Sequence, residues 1–209
     1  MTPEIRAIAD RFILDTANVK YLATVLPKGA LARPTPAGDW TVRQVIGHIV
    51  AGLERHVEFS RLFLADGTFP DSFDPQEFNA LSAAATRKTT LPVLLARLDA
   101  ATGDMLSLLG TMPEDSASSQ FGPVRLGDAF GIWSRHIAHH GMDLVDAVEE
   151  MRVDPMVLNW ILHADFAADP ERLPRQQHLL AEVRDHLAKD AEEDWDGEED
   201  WEEGDDEAR

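Results

Sequence analysis

Apolar residues recur at spacings of three and four along most of this chain, the signature of helices that bury one face. Ile5, Ile8, Ala9, Phe12, Ile13, Val19, Leu22 and Val25 follow that spacing. Thr2 stands where it can cap this first helix, Pro3 suits its first position, and Pro27-Lys28-Gly29 ends it. The stretch from Leu31 to Asp39, with Pro34, Pro36 and Gly38, reads as a loop. Thr41-Val42-Arg43-Gln44 then has the form of a capping box, in which the threonine hydroxyl accepts an amide hydrogen and the glutamine reaches back. It opens a second helix with Val42, Val45, Ile46, Ile49 and Leu53 on one face, predicted to run to about Leu64.

Asp74-Pro75 starts a short helix to about Arg87, and Thr90 is expected to cap a longer one carrying Leu91, Leu94, Leu95, Leu98, Met105 and Leu109. A loop rich in Ser, Pro and Gly covers Thr111–Gly127. The next long helix is predicted from about Asp128 to Glu150, with Ala129, Ile132, Trp133, His136, Ile137, His140 and Leu144 on its inner face. Asp154-Pro155 starts a short helix through Leu162, and a final helix follows Pro174 with Leu179, Leu180, Val183 and Leu187. No strand pattern stands out. The expected fold class is all-α, a four-helix bundle over residues 1–150 with short C-terminal helices over 151–189 packed on it.

Composition changes this picture at one end. The formal charge of the 209-residue chain is −19, and residues 190–209 hold 13 acidic residues against one basic, leaving a net of only −7 for the rest. The run from Glu192 to Trp201 is low in complexity and self-repelling, so 190–209 is expected to be a disordered acidic tail. A weak docking role through Trp195 and Trp201 is the functional alternative. The folded part lacks the basic footprint that nucleic acid or an anionic membrane would need. No run approaches the roughly 18 apolar residues of a membrane span, and the N-terminal residues lack the order of a signal peptide. The expected location is therefore the cytoplasm.

The chain has no cysteine, which excludes disulfides, zinc–thiolate sites and a cysteine nucleophile. Any thiol chemistry needs a thiol brought by a cosubstrate, and any metal must sit on His, Asp or Glu. His136 and His140 are four apart on an inward face, which puts two imidazoles one turn apart on one side of a helix. A pair of hydrogen-bonded core histidines has the same spacing. His48 is the third candidate, at the edge of the second helix's apolar face, with Gly47 and Gly52 allowing another helix or a ligand to come close. His48 and His136 lie at similar depth from their predicted helix starts, which is simplest if the two helices run parallel; an antiparallel pair needs an axial offset, which loosely defined helix ends allow. His56, eight residues past His48, competes as a ligand or packs in the core. His139 faces away from the 136/140 side, and His163, His178 and His186 read as surface residues. Asp143 is placed to orient an imidazole or to be a solvated charge.

Three neutral imidazoles leave a fourth position open on zinc, the pattern of a catalytic site. Nickel, copper or iron suits the same nitrogen donors. There is no glycine-rich phosphate loop and no dinucleotide fingerprint.

Two segments carry a resemblance. Trp40-Thr41-Val42-Arg43-Gln44-Val45-Ile46-Gly47-His48-Ile49 resembles the W-[ST]-x-x-x-[LIV]-x-x-H-[LI] opening of the DinB-like superfamily, which includes the mycothiol-dependent maleylpyruvate isomerase group. Trp133-Ser134-Arg135-His136-Ile137-Ala138-His139-His140 resembles its second metal segment. The likeness covers roughly residues 5–150. It implies a helical bundle with a divalent metal, zinc first among the candidates, on His48, His136 and His140, and it sets His56 aside as packing. It also implies a metal-dependent transferase or isomerase acting on a small electrophile with a low-molecular-weight thiol such as mycothiol or bacillithiol, and a homodimer. The Thr111–Gly127 loop would shape the electrophile pocket. A non-catalytic metal-binding, stress-related bundle is the alternative. The isomerase group resembles E-x-x-x-H in the second segment; His136 at that place puts this chain nearer a three-histidine set.

Overall fold

The computed structural model describes residues 1–67, 74–121, 124–164, 166–167 and 169–195, with side chains to 189. Helix α1 spans Pro3–Val25, α2 Val42–Asp66, α3 Pro75–Thr86, α4 Leu91–Thr111, α5 Leu126–Ala147, α6 Pro155–Leu162 and α7 Arg172–Trp195. Two-residue strands β1 (Gln120–Phe121) and β2 (Val124–Arg125) pair antiparallel just before α5. The sequence pattern gave no hint of this pair, because two residues are too few to show alternation.

The helix starts follow from side-chain chemistry. Thr2 accepts the amide of Ile5, Thr41 and Gln44 form the full capping box, and Asp74 and Asp154 each accept two amides of their first turns. Thr90 stands at the α4 N-cap but makes no side-chain cap bond. Helix α5 begins two residues before the expected Asp128. That carboxylate lies inside the first turn, where it favours the helix dipole and pairs with Arg125 at 2.9 Å. It ends at Ala147 and a 3₁₀ turn over Glu149–Val153 follows. Helix α7 starts at Arg172, capped by Asp169, so Pro174 lies within the first turn, where its missing N–H costs nothing. It continues through Trp195, so 190–195, expected to be disordered, is helical; 196–209, including Trp201, lies outside the described residues.

Four long helices form the bundle. Helix α1 packs on α4 and α5, and α2 packs on the same two, so α1 and α2 lie across the diagonal. Ile5, Phe12, Leu22, Ile46, Ile49, Leu53, Leu94, Leu98, Met105, Ile137 and Leu144 are buried between them. Burying such side chains stabilises by roughly 1.5–3 kcal/mol each before chain entropy is charged. Helix α3 lies on α2, and α6 and α7 pack on α5. On α7, Leu179 is buried whereas Leu187 is 61% exposed, so only the first half of its apolar face meets the bundle. No helix among the described residues is long and apolar enough to cross a membrane.

Candidate metal centre and flanking cavities

The α2–α5 interface positions the site. Gly47 sits where any Cβ would collide with the Thr86 side chain of α3. A Cβ on Gly52 would lie 2.7 Å from the Trp133 indole. These two glycines let α3 and α5 approach α2, the close approach expected of them. Along α2, His48 meets His136 and His140, Gly52 meets Trp133, and His56 meets Trp133 and Phe130. Numbers rise on α2 as they fall on α5, so the helices run antiparallel, not parallel. The depths match from opposite ends: His48 is six residues past Val42, and His140 is seven before Ala147.

The structure brings His48, His136 and His140 together. Their ring centroids are 5.1, 4.9 and 4.6 Å apart. One ligand atom from each lies within 4.8 Å of the others, and His48 Nε2 is 3.1 Å from His136 Nε2. Two nitrogens bound to one tetrahedral zinc at about 2.0–2.1 Å are roughly 3.3 Å apart, so the donor set fits such an ion.

Two of the three rings have a partner on the outer nitrogen. His48 Nδ1 is 3.1 Å from Ser82 Oγ, and His140 Nδ1 is 3.1 Å from Asp143 Oδ2. Such contacts fix ring orientation and leave Nε2 for a metal. Asp143 is itself buried and held by Arg175 at 3.3 Å and Arg172 at 3.9 Å. A second group of possible ligand atoms, His139, His140 and Asp143, shares these residues, but its carboxylate already serves those arginines and His140. The Trp40 ring packs 4.9 Å from His48, presented by the turn in which Thr35 N–H bonds the Trp40 carbonyl.

Burial holds the imidazoles neutral. It lowers His48 to about 4, and it lowers His136 and His140 well below the usual value, with neighbouring imidazoles adding to the effect. A neutral imidazole keeps the lone pair that a metal needs.

Two cavities open on either side of His136. One of about 410 Å³ extends along α2 and α5 from His48 and His136 past Gly52 to His56 and is walled by Phe59, Phe78, Phe121, Val124 and Trp133. The other, about 500 Å³, is the more polar of the two, with Arg135, His139, Asp169 and Glu171 in its lining beside Ile132, Phe166 and Pro170. Ile132, expected to face inward, is 46% exposed because it stands on the ridge between them. Phe121 and Val124 bring the Thr111–Gly127 segment to the apolar cavity; Gly122 and Pro123 lie outside the described residues.

The remaining histidines separate clearly. His56 packs among Phe130, Phe121 and Trp133, away from the three-histidine group. His139 is half-buried, 3.7 Å from Asp169. His163 bonds the Asn159 carbonyl, and His178 pairs with Glu182 on the surface. Sequence reasoning missed Ser82, Phe78 and the apolar cavity. Ser82 and Phe78 sit on α3, whose place over α2 has no signal in the α2 sequence.

Comparison with known proteins agrees with this architecture. Two solved structures, a mycothiol-dependent maleylpyruvate isomerase and a histidine-to-alanine variant of it, superpose with TM-scores of 0.59 and 0.58. Each is 15% identical to this chain, and each match covers 78% of this chain and 70% of the other. At that identity the likeness establishes a shared fold. No curated protein matches. The family model for the mycothiol maleylpyruvate isomerase N-terminal domain matches residues 15–145, more than half of the sequence and spanning all three clustered histidines, and the chain belongs to that family.

Proposed function

We propose that this protein is a metal-dependent enzyme that joins a low-molecular-weight thiol, of the mycothiol or bacillithiol type, to a small electrophile, or isomerises the electrophile through such an adduct. One observation carries the reading: three imidazoles, two of them pinned from behind by Ser82 and Asp143, stand where an apolar and a polar cavity meet. Family membership and the fold shared with a mycothiol-dependent isomerase support the thiol. The complete absence of cysteine is compatible with a sulfur supplied from outside.

His48, His136 and His140 would hold the ion. When bound, a metal supplies Lewis acidity that favours a thiol sulfur in its deprotonated, nucleophilic form near neutral pH. The chain's own residues do the rest. Burial keeps the ligands neutral, and Ser82 and Asp143 fix their rings. The polar cleft at Arg135, His139, Asp169 and Glu171 suits the hydrophilic body of such a thiol. The apolar cavity excludes water from the electrophile. Addition forms one carbon–sulfur bond as the carbon–carbon π bond of the electrophile breaks; its electron pair moves onto the activating carbonyl as an enolate, and the thiol proton passes to solvent. Isomerisation follows if the adduct rotates about a former double bond and the same carbon–sulfur bond then breaks. Residues 1–150 form the unit that binds the metal, and 151–189 brace α5 and close the polar cleft. A non-catalytic metal scaffold gives no reason for an apolar cavity to reach the cluster.

Elemental analysis and turnover test this together. Purified protein should carry about one divalent ion per chain, and it should turn over a member of a thiol and electrophile panel. His136→Ala should lose both with its helical circular dichroism intact. Metal-free wild type with undiminished turnover would sink the metal. Silence across a broad panel would sink the reaction.

A further inference from the structure

At the far end of the apolar cavity from His48, two buried nitrogens have no partner. Trp133 Nε1 and His56 Nε2 make no hydrogen bond among the described residues, although both side chains line the cavity. Their rings stack at 5.9 Å with an interplanar angle of 12°. Indole N–H is a donor only, so Trp133 calls for an acceptor that the protein does not supply. Buried polar groups are rarely left in that state without a ligand or water to receive them.

Most of the remaining wall is apolar, with Phe59, Phe78, Phe121, Val124 and Ala129, and the half-buried Asn79 of α3 adds one uncharged polar side chain. Arg55 is the cation at the cavity, and it is already committed. Its guanidinium bonds Glu58 at 2.8 Å and lies 5.4 and 5.8 Å from the Phe59 and Phe78 ring centres. A dianion would find no unpaired cation among the described residues of this wall.

We infer that the electrophile of this site is an apolar, ring-sized molecule carrying one uncharged oxygen acceptor, such as an aryl or alicyclic enone, with that oxygen taken by Trp133 and His56 and its apolar body against the phenylalanines. The inference rests on the thiol-transfer reading for the word electrophile, but occupancy of the cavity is independent of turnover. His56 and Trp133 are binding residues here; His56 stands some two helical turns past His48 on α2, and the Trp133 ring centre lies 5.3 Å from that of His136. The site is selective because an occupant without the oxygen leaves two buried nitrogens unsatisfied.

The test uses the full chain with its metal and two unreactive probes, 1-indanone and indane, with maleate as a dianion. Binding is read by calorimetry, and the Trp133 indole N–H is followed by ¹H–¹⁵N NMR. The expected result is that 1-indanone binds at least roughly tenfold tighter than maleate, and that it alone moves the Trp133 indole signal downfield. In Trp133→Phe and His56→Phe the indanone-to-indane affinity ratio falls by roughly tenfold, the scale of one buried hydrogen bond. Maleate binding as tightly as indanone, or an indole signal that responds equally to indane, overturns the inference in wild-type protein even if neither variant folds. An unchanged ratio in folded variants overturns it as well. Indanone does not react with thiols, so a failed turnover panel with intact indanone binding defeats only the reaction. Efficient turnover confined to dianionic electrophiles defeats only this substrate class.

Discussion

The two ends of the α2–α5 seam hold histidines in opposite states. At the His48 end, two of the three rings have a partner behind them from another turn or another helix: Ser82 for His48, Asp143 for His140. At the His56 end, Nε2 is buried with no partner among the described residues, and so is the indole nitrogen stacked against it. Both ends are walled by aromatic rings, so hydrophobic burial does not separate them. What separates them is whether the protein supplies hydrogen bonds behind the ring. Supplied bonds fix an imidazole for a metal, while missing ones leave a demand that only an occupant can meet.

The sharpest way to break the comparison is to remove a bond at the satisfied end. Asp143→Asn keeps the shape but withdraws the charge behind His140 and leaves Arg172 and Arg175 beside a neutral amide. Contacts of this kind are worth roughly 10–100-fold in metal affinity. Chelator competition should show a loss in that range. Ser82→Ala, acting through a neutral hydroxyl, should fall at its lower edge. Equal metal affinity in wild type and both variants would mean that the rings are held by packing alone.

The second test concerns protons at the unsatisfied end. Burial lowers His56 to about 4 from an ordinary 6.5, and the rings facing it, Phe121, Phe130 and Trp133, carry no charge; Arg55 is its chain neighbour. The folded state holds this imidazole neutral, whereas the unfolded chain takes up a proton below about 6.5. Its contribution is therefore fully present above that pH and is lost as pH falls from about 6.5 toward 4. By linkage the loss reaches about 2 kcal/mol at pH 5. Urea unfolding at pH 8 and pH 5 should show that difference in wild type, and His56→Phe should remove this part of it. Metal-loaded protein should be used, since the clustered histidines otherwise titrate in the same direction.

Legibility in the sequence follows the same division. The capping box at Thr41 and the 3/4 spacings are local signals, and the helices stand close to where they predict. His136 and His140 share a helix face by arithmetic alone; His48 stood out at the edge of an apolar face between two glycines, and the DinB-like motif chose it over His56. Their meeting is a tertiary fact that no spacing encodes, and the depth argument for parallel helices failed because it measured α5 from the wrong end. Asp143 was legible because it lies three residues from His140 on the same helix. Ser82 and Phe78 were not, because they reach the site from α3, whose docking depends on the small size of Gly47. The cavity was likewise invisible. It is bounded by α2, α3, α5 and a two-residue strand pair too short to leave a pattern.

The smallest expected effect lies between the two ends, at Gly52. An added Cβ there would stand 2.7 Å from the Trp133 ring, which joins the histidine group to the apolar cavity. Overpacking of this kind costs roughly 1–3 kcal/mol, and replacing a helical glycine by alanine returns roughly 1 kcal/mol. Gly52→Ala should therefore be destabilised by no more than about 2 kcal/mol in thermal or urea unfolding. Its informative readout is elsewhere. If the indole is displaced toward the cavity, indanone affinity should fall severalfold while metal content stays at wild-type level, because the Ser82–His48 and Asp143–His140 contacts are untouched. A variant that loses metal as well would show that Trp133 positions His136, whose ring centre is 5.3 Å away, and that the two ends act as one unit.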